Sequence, residues 1–347
     1  MLIDSVRVTE DAVEILDRRR YPSEVVWVRC ASVDEVGAAI RAMVTQSHGP
    51  RFAATAGMVL AARQIRDRPS DDVRDELQRA VDLLVATRPT NNHIRNALDA
   101  VMAAVELAGP GASGADLADV AIAAAVADDD HYRRLCTDVG EHTAALLPDG
   151  ARILTHCWAD HFLVATVQAA AAMGKAISFT CTETRPYLQG ARLTAATLVE
   201  MGYTPTIITD GMVAAAMVAG RIDVLLTAAD RVTLDGHVIN KVGTLTAALA
   251  AQHAGLPYYA MIDAPDRLAP TVADVELEQR DGDEVLHVGT VRTAAAHTIG
   301  WYPAFDVTPP ALVTRIVTSR GAFAPRHVAR HFEGHPLSGQ HLAGDAS

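Results

Sequence analysis

The chain is poor in aromatic residues, which make up 5% of its 347 positions, while half of all residues are hydrophobic. Its core must therefore be built from alanine, valine, leucine and isoleucine. Cysteine is scarce as well. The four cysteines, at 30, 136, 157 and 181, show neither CxxC spacing nor the density of a disulfide scaffold. That usage points to a reducing cytoplasm. Basic charge is outnumbered, with 30 Lys and Arg against 42 Asp and Glu and a formal net charge of −12. A nucleic-acid surface needs a basic face, so that partner is not expected. A phosphate ligand remains open, because one local cation and a few amides suffice to hold it. No apolar run is long enough for a membrane span; the Ala-rich stretch 164–173 is short and interrupted. The opening residues Met1–Ser5 lack a basic segment followed by an apolar one, so no secretory signal is expected. There is no internal repeat and no low-complexity segment.

The chain does carry a change of pattern near its middle. Residues 1–147 read as a mainly helical N-terminal domain after a short strand-like opening at Val25–Val28. Apolar residues recur at helical spacing over 33–44, 53–65, 91–107 and 115–135. Pro148-Asp149-Gly150 is a turn signal and marks the boundary. Over 148–326, short apolar runs (152–156, 176–181, 206–209, 223–227, 258–262) alternate with helical segments (159–173, 190–201, 211–219, 244–254). This alternation predicts parallel βαβ units with right-handed crossovers, an α/β Rossmann-like domain. Residues 327–347 are polar and rich in Gly and His, and read as a partly disordered tail.

Two of the apolar runs end in reactive groups. Leu225-Leu226-Thr227-Ala228-Ala229-Asp230 delivers a carboxylate to the carboxyl end of a strand, where ligands sit in open α/β sheets. Ile153-Leu154-Thr155-His156-Cys157 delivers a thiol in the same way. Asn240-Lys241-Val242-Gly243-Thr244 offers an amide, a cation and small residues at a helix start, which suits a phosphate. Arg88-Pro89-Thr90 precedes one helix, and the run Glu183 to Thr194 follows a strand and opens another. Asp210 is placed to cap the next helix. Together these groups suggest proton transfer on a phosphorylated small molecule. Each has a plainer reading. A lone cysteine is more often a small core hydrophobe, and a strand-end acid often only caps a helix. It is their conjunction that favours chemistry. Arg185 and Arg192 read as structural ion-pair partners, and Trp158 as a pocket wall or a core aromatic. His156, next to Cys157 on a strand, faces the other way and reads as structural. Asp306 would satisfy a turn and helix start near Pro309 and Pro310. His327, His331, His335 and His341 have no carboxylate or cysteine to complete a site, so no metal is expected.

In six runs the chain resembles a known family. These are Arg88-Pro89-Thr90, Leu154-Thr155-His156-Cys157, Glu183 to Thr194, Ala229-Asp230-Arg231, Asn240-Lys241-Val242-Gly243-Thr244 and Pro303-Ala304-Phe305-Asp306-Val307-Thr308-Pro309. In this order they resemble the sugar-1-phosphate aldose–ketose isomerases, typified by methylthioribose-1-phosphate isomerase. Ribose-1,5-bisphosphate isomerase and the regulatory subunits of the eukaryotic initiation-factor-2 exchange factor are relatives. The resemblance spans about residues 16–325. It implies a cofactor-free isomerase, a homodimer, and a site in the cleft between the two domains. It implies Cys157 and Asp230 as catalytic residues, and Arg88, Gln189, Asn240 and Lys241 as the phosphate site. Asp230, kept protonated by a low-dielectric pocket, would open the sugar ring. Cys157 would take the C2 proton in an enediol route or assist a hydride shift.

The chain also departs from the family. Where its isomerases carry Arg-Gly-Ala, this chain has Ser47-His48-Gly49-Pro50-Arg51. His48 and Gly49 are placed in the phosphate site on that basis, with His48 or Arg51 substituting for the arginine. After Cys157 the chain has Trp158-Ala159-Asp160, without the Gly-rich stretch of the methylthioribose enzymes, and Tyr302 replaces the usual Asn. The substrate implied is a 5-substituted 5-deoxyribose 1-phosphate, by default S-methyl-5-thioribose 1-phosphate. Ribose 1,5-bisphosphate and 5-deoxyribose 1-phosphate are the alternatives. A non-catalytic subunit that senses a phosphorylated ligand is the rival of another class, and retention of both Cys157 and Asp230 argues against it.

Overall fold

The computed structural model describes residues 2–88 and 92–333. Pro89, Thr90, His335 and His341 lie outside the described residues. The chain opens with a three-stranded antiparallel sheet, β1 (Val6–Val8), β2 (Val13–Leu16) and β3 (Trp27–Cys30). Only the third strand is foreshadowed in the sequence, because strands of three and four residues are too short for alternation to show. Helices α1 (Val33–Arg41), α2 (Gly49–Ile65), α3 (Ser70–Val85), α4 (Asn92–Leu107) and α5 (Gly114–Leu146) follow. The side chain of Ser32 caps α1, accepting from the Glu35 amide. α2 is buried on nearly every face and forms the centre of the helical layer. α3 adds Val73, Leu77, Ala80, Val81 and Leu84 to that core. α5 starts at a capping box between Ser113 and Asp116 and runs for 33 residues. It continues well past the charged stretch that suggested an end near 135, because Asp128 and Asp129 are spent on ion pairs with Arg51 of α2.

The second half holds β4 (Arg152–Thr155), α6 (Asp160–Ala172), β5 (Ser178–Thr182), α7 (Ala195–Glu200), β6 (Thr206–Ile208), α8 (Val213–Val218) and β7 (Val224–Ala228). Next come β8 (Arg231–Val232), β9 (Val238–Lys241), α9 (Thr244–His253) and β10 (Tyr258–Met261). Short strands β11 (Gln279–Arg280), β12 (His287–Val288), β13 (Val291–Arg292) and β14 (Tyr302–Pro303) precede β15 (Phe305–Thr308), β16 (Arg315–Thr318) and β17 (Gly321–Phe323). The main sheet has the order β17-β16-β10-β7-β4-β5-β6 and is parallel except for β17. Counted along the chain from β4, its parallel strands run 3-2-1-4-5-6, the doubly wound order of dinucleotide-binding folds. The winding reverses between β4 and β7, so a crevice opens at their carboxyl ends. These two strands carry Cys157 and Asp230 at those ends.

A small antiparallel sheet, β15-β9-β8, stands beyond the end of β7. Residues 325–332, where a tail was expected to begin at 327, form a 3-10 segment instead. Val328 is fully buried there, and His331 Nδ1 lies 2.8 Å from Thr318 Oγ1 of β16. An apolar side chain under the polar run holds the segment down. No helix of the described residues is long and apolar enough to cross a membrane.

Candidate active site

β4 ends at Thr155, and the chain then turns so that Cys157 sits at φ 68°, a left-handed conformation that costs a non-glycine residue about 1 kcal/mol. Its surroundings hold it there. The Cys157 amide donates to Thr184 Oγ1 at 3.0 Å, its carbonyl accepts from Thr194 Oγ1 at 2.5 Å, and Gln189 Nε2 donates to its sulfur at 3.2 Å. Behind it, His156 Nε2 lies 3.0 Å from the Val242 carbonyl and Nδ1 lies 2.7 Å from Thr182 Oγ1. A carbonyl can only accept, so Nε2 carries the hydrogen and Nδ1 accepts from Thr182. Thr184 then donates to Thr182 at 3.1 Å, and the chain of bonds closes on the Cys157 amide. Burial pushes the imidazole below its ordinary value, which keeps it in this neutral form. His156 ties the cysteine turn to the Lys241–Gly243 turn. Gly243 serves the same contact: at φ 106° a Cβ would come within 2.8 Å of the His156 ring.

Across the crevice Asp230 follows β7, its amide donating to the Ile239 carbonyl at 2.9 Å. β9 then brings Asn240 and Lys241 to the same cleft. Asn240 Nδ2 donates to Thr244 Oγ1 at 3.0 Å, which in turn donates to the Lys241 carbonyl at 2.7 Å. The Lys241 ammonium lies over the rings of Phe305 at 4.9 Å and Tyr302 at 5.7 Å. Burial pushes Lys241 below its ordinary value, and Arg280 adds to this, while Cys157 and Asp230 pull it back. Burial pushes the Cys157 thiol up, against the opposing pull of Lys241 and Gln189. That direction favours the protonated thiol over the thiolate.

Two acids expected to cap their own helices do so for other segments. Asp210 accepts from the amides of Thr184 (2.8 Å) and Arg185 (2.7 Å) and so shapes the loop that carries Gln189. Asp306 of β15 accepts from the amides of Gly243 (2.7 Å) and Leu245 (3.1 Å), capping α9 rather than the turn at Pro309. Burial pushes the Asp306 carboxyl up to about 6 from an ordinary 3.8, against the pull of those two amides. An acid raised on folding stabilises the fold fully only below its unfolded value, and that contribution is lost as pH rises through the folded value. Asp306→Asn is therefore expected to gain about 1–2 kcal/mol relative to wild type between pH 4 and pH 7. Melting temperatures of both proteins across that range check this; a constant difference between them refutes it.

The helical half supplies the other wall, with Met43, Gln46, Ser47, His48, Arg88 and His93. Cys157, Trp158, Gln189, Asp230, Asn240, Lys241, Arg280 and Phe305 complete the cleft. Of the residues expected from sequence, Gly49 and Arg51 do not line it. The Gly49 amide is spent on the Gln46 carbonyl at 3.0 Å, and a Cβ there would overlap Thr45 Oγ1 at 1.9 Å, so close packing accounts for this glycine. Arg51, the other candidate for the missing arginine, is bound to Asp128 and Asp129 and stacks on Tyr132 at 4.2 Å. That leaves His48, which is 8% exposed, packed edge-on against Phe162 at 4.6 Å and pushed well below its ordinary value by burial. Arg185 and Arg192 make backbone contacts: Arg185 donates to the Val285 carbonyl at 3.1 Å, and Arg192 to those of Tyr187 and Arg18, each at 3.1 Å.

Arg280, Glu278 and Met43 escape the sequence reading. Nothing in the run Val275 to Arg280 signals a strand, and Arg280 reaches the cleft only because β11 pairs with β14. His48, Asp160 and His161 place three buried ligand atoms within 4.8 Å of one another. They do not suit a metal. Arg133 Nη1 lies 3.1 Å from His161 Nε2, and a guanidinium can only donate, so the ring proton sits on Nδ1, 3.0 Å from Asp160 Oδ1. Arg18 holds the other carboxylate oxygen at 3.2 Å. Burial works against ionisation of Asp160, but Arg18 and His161 overcome it and hold the carboxyl below its usual range. Two guanidinium groups already neutralise and crowd the cluster.

A doubly wound sheet with a thiol and a carboxylate at its switch point, walled by cations, defines an α/β protein with a cleft suited to a small phosphorylated ligand. The chain belongs to the initiation factor 2 subunit family, whose sequence profile matches residues 46–325. It is 39% identical over 341 residues to a methylthioribose-1-phosphate isomerase of Anaeromyxobacter sp. (strain K), covering 95% of each chain. It is 36% identical over 324 residues to a 5-deoxyribose 1-phosphate isomerase of Moorella thermoacetica, covering 90% of this chain and 92% of that one. The crystal structure of 5-methylthioribose 1-phosphate isomerase from Pyrococcus horikoshii OT3 superposes with a TM-score of 0.85 at 29% identity, over 94% of both chains.

Proposed function

We propose that the protein is an aldose–ketose isomerase converting S-methyl-5-thioribose 1-phosphate, or a close 5-deoxyribose 1-phosphate, to the ribulose 1-phosphate. The observation that carries this reading is the placement of Cys157 and Asp230 on the two strands flanking the switch point, in one cleft with Arg88, Gln189, Asn240 and Lys241. The named relatives act on sugars with no charge at C5. The bisphosphate alternative needs a spare cation, and the added cation of this cleft, Arg280, is already matched by Glu278 at 2.9 Å. Retention of both the thiol and the acid favours catalysis over ligand sensing.

In this reading Arg88, Gln189, Asn240 and Lys241 hold the phosphate, and His48 borders it. Asp230 gives a proton to the ring oxygen as the bond from C1 to that oxygen breaks. Hydrogen then moves from C2 to C1, and the C2 hydroxyl loses its proton as the carbonyl forms. The proton that entered is thus returned. A Cys157 thiol that keeps its proton is a poor base toward C2, which favours movement of that hydrogen as hydride. Cys157 then assists by keeping the cationic carbon in dry surroundings. A homodimer, a helical domain over 1–147, a Rossmann-like domain over 148–326 and a cytoplasmic location belong to the same reading; a free thiol in the cleft suits a reducing compartment.

Proton NMR in deuterated water tests the reading directly. Methylthioribose 1-phosphate is expected to convert with little deuterium at C1 of the product, and Cys157→Ser is expected to slow conversion by about 10–100-fold. Full deuterium incorporation would replace hydride transfer by an enediol with Cys157 as base. No conversion of methylthioribose, 5-deoxyribose or ribose 5-phosphate-bearing 1-phosphates would refute the isomerase reading.

A further inference from the structure

Arg88 and Arg280 come from opposite halves of the molecule and converge on the same two partners. Arg88 Nη1 lies 3.1 Å and Arg280 Nη2 3.3 Å from the sulfur of Met43. Both also face Glu278: Arg280 Nη2 lies 2.9 Å from one carboxylate oxygen, and Arg88 Nη2 lies 3.5 Å from the other. The two contacts differ in kind. The first is a close ion pair. The second is too long for a strong hydrogen bond, and that buried oxygen, Glu278 Oε2, has no hydrogen-bond partner among the described residues. A thioether is a weak acceptor. Arg88 therefore faces the cleft with a long ion pair and a sulfur, although a guanidinium is built for a bidentate oxyanion.

We propose that Glu278 is an internal stand-in for the substrate phosphate, loosely engaging Arg88 and yielding it when the phosphate arrives, while Arg280 retains the displaced carboxylate. The inference rests on the assignment of Arg88 to the phosphate site. Glu278 can yield without moving its backbone, because its carbonyl is held by the Ala304 amide at 2.9 Å and β11 begins at the next residue. A phosphate dianion outcompetes a carboxylate for a guanidinium because it brings more charge and more acceptor oxygens. Once bound, it lies near the charge of Glu278. Repulsion then weakens binding of substrate and product alike, so Glu278 trades affinity for release. Arg280 is a positioning residue that keeps the carboxylate beside the site and prevents its full collapse onto Arg88.

Calorimetric titration of the intact protein with inorganic phosphate tests this without any need for turnover. Glu278→Gln keeps the shape and removes the charge, and is expected to bind phosphate about tenfold more tightly. With methylthioribose 1-phosphate it is expected to lower KM and kcat together, because product leaves more slowly. Arg280→Gln should weaken phosphate binding by a similar factor, since Glu278 then collapses onto Arg88. The double variant Glu278→Gln/Arg280→Gln should regain most of the loss. If Glu278→Gln alone fails to fold, the comparison of the double variant with Arg280→Gln reads the same effect in a background without a buried unpaired acid. Unchanged or weaker phosphate binding on removal of the Glu278 charge, in either background, overturns the proposal: a residue that merely supports the arginines would lose affinity. Absence of wild-type turnover on sugar 1-phosphates would overturn the isomerase reading and leave the phosphate comparison standing.

Discussion

Asp230→Asn is expected to lower turnover on methylthioribose 1-phosphate by about three to four orders of magnitude while substrate still binds. The amide keeps the size of the side chain and its place after β7, so the fold and the cleft are preserved. It cannot give up a proton to the ring oxygen. A sugar whose anomeric oxygen carries phosphate cannot open its ring spontaneously, so no other route replaces the lost acid. The substitution removes none of the cations that line the cleft, so inorganic phosphate should bind at least as well as before. Steady-state rates combined with phosphate titration separate the two effects. Near-normal turnover would remove Asp230 from the chemistry, and loss of phosphate binding would point to a damaged fold.

Lys241→Met is expected to act on the other side of the reaction, reducing kcat/KM by about 100–1,000-fold with a parallel loss of phosphate affinity. Methionine fills the same space between Phe305 and Tyr302, and sulfur packs well against aromatic rings, so stability should not fall. It should even rise, because burial already works against the lysine charge. The pairing of higher melting temperature with lost phosphate binding marks a group kept for its ligand. A destabilised variant that still binds phosphate would assign Lys241 to the scaffold instead. The same change removes the cation that opposes the rise of the Cys157 thiol, so alkylation of that thiol should slow as well.

The residues legible in the sequence are those whose meaning is local. Asp230 and Cys157 each end an apolar strand, and strand ends in parallel sheets are where ligands bind, so a linear reading reaches them. Asn240 and Lys241 follow the same logic one strand further on. Asp210 and Asp306 look like caps for the segments that follow them, and caps they are, but for amides 25 and 61 residues away. A linear pattern cannot tell a neighbour's amide from a distant one. A family motif places Gly49 in the phosphate site, whereas close packing of Thr45 and Arg18 accounts for this glycine. The Arg88–Glu278–Arg280 triad is out of reach altogether, since it depends on the register of two-residue strands and on the docking of the two halves.

α5 bears on how a ligand enters. Its 33 residues make a rod about 50 Å long, at the usual rise per residue. It lies against α2, α3 and α4 along one part of its length and against α6, β16 and β17 along another. A beam shared by both halves leaves no joint between them: swinging one half away from the other would peel α6 off α5 and expose its buried face. The mouth of the cleft must then widen by small adjustments at its rim, in the turn around Met43 to His48 and the segment bearing Glu278. Rates of filling and emptying are then expected to follow rim contacts rather than any large swing of the two halves.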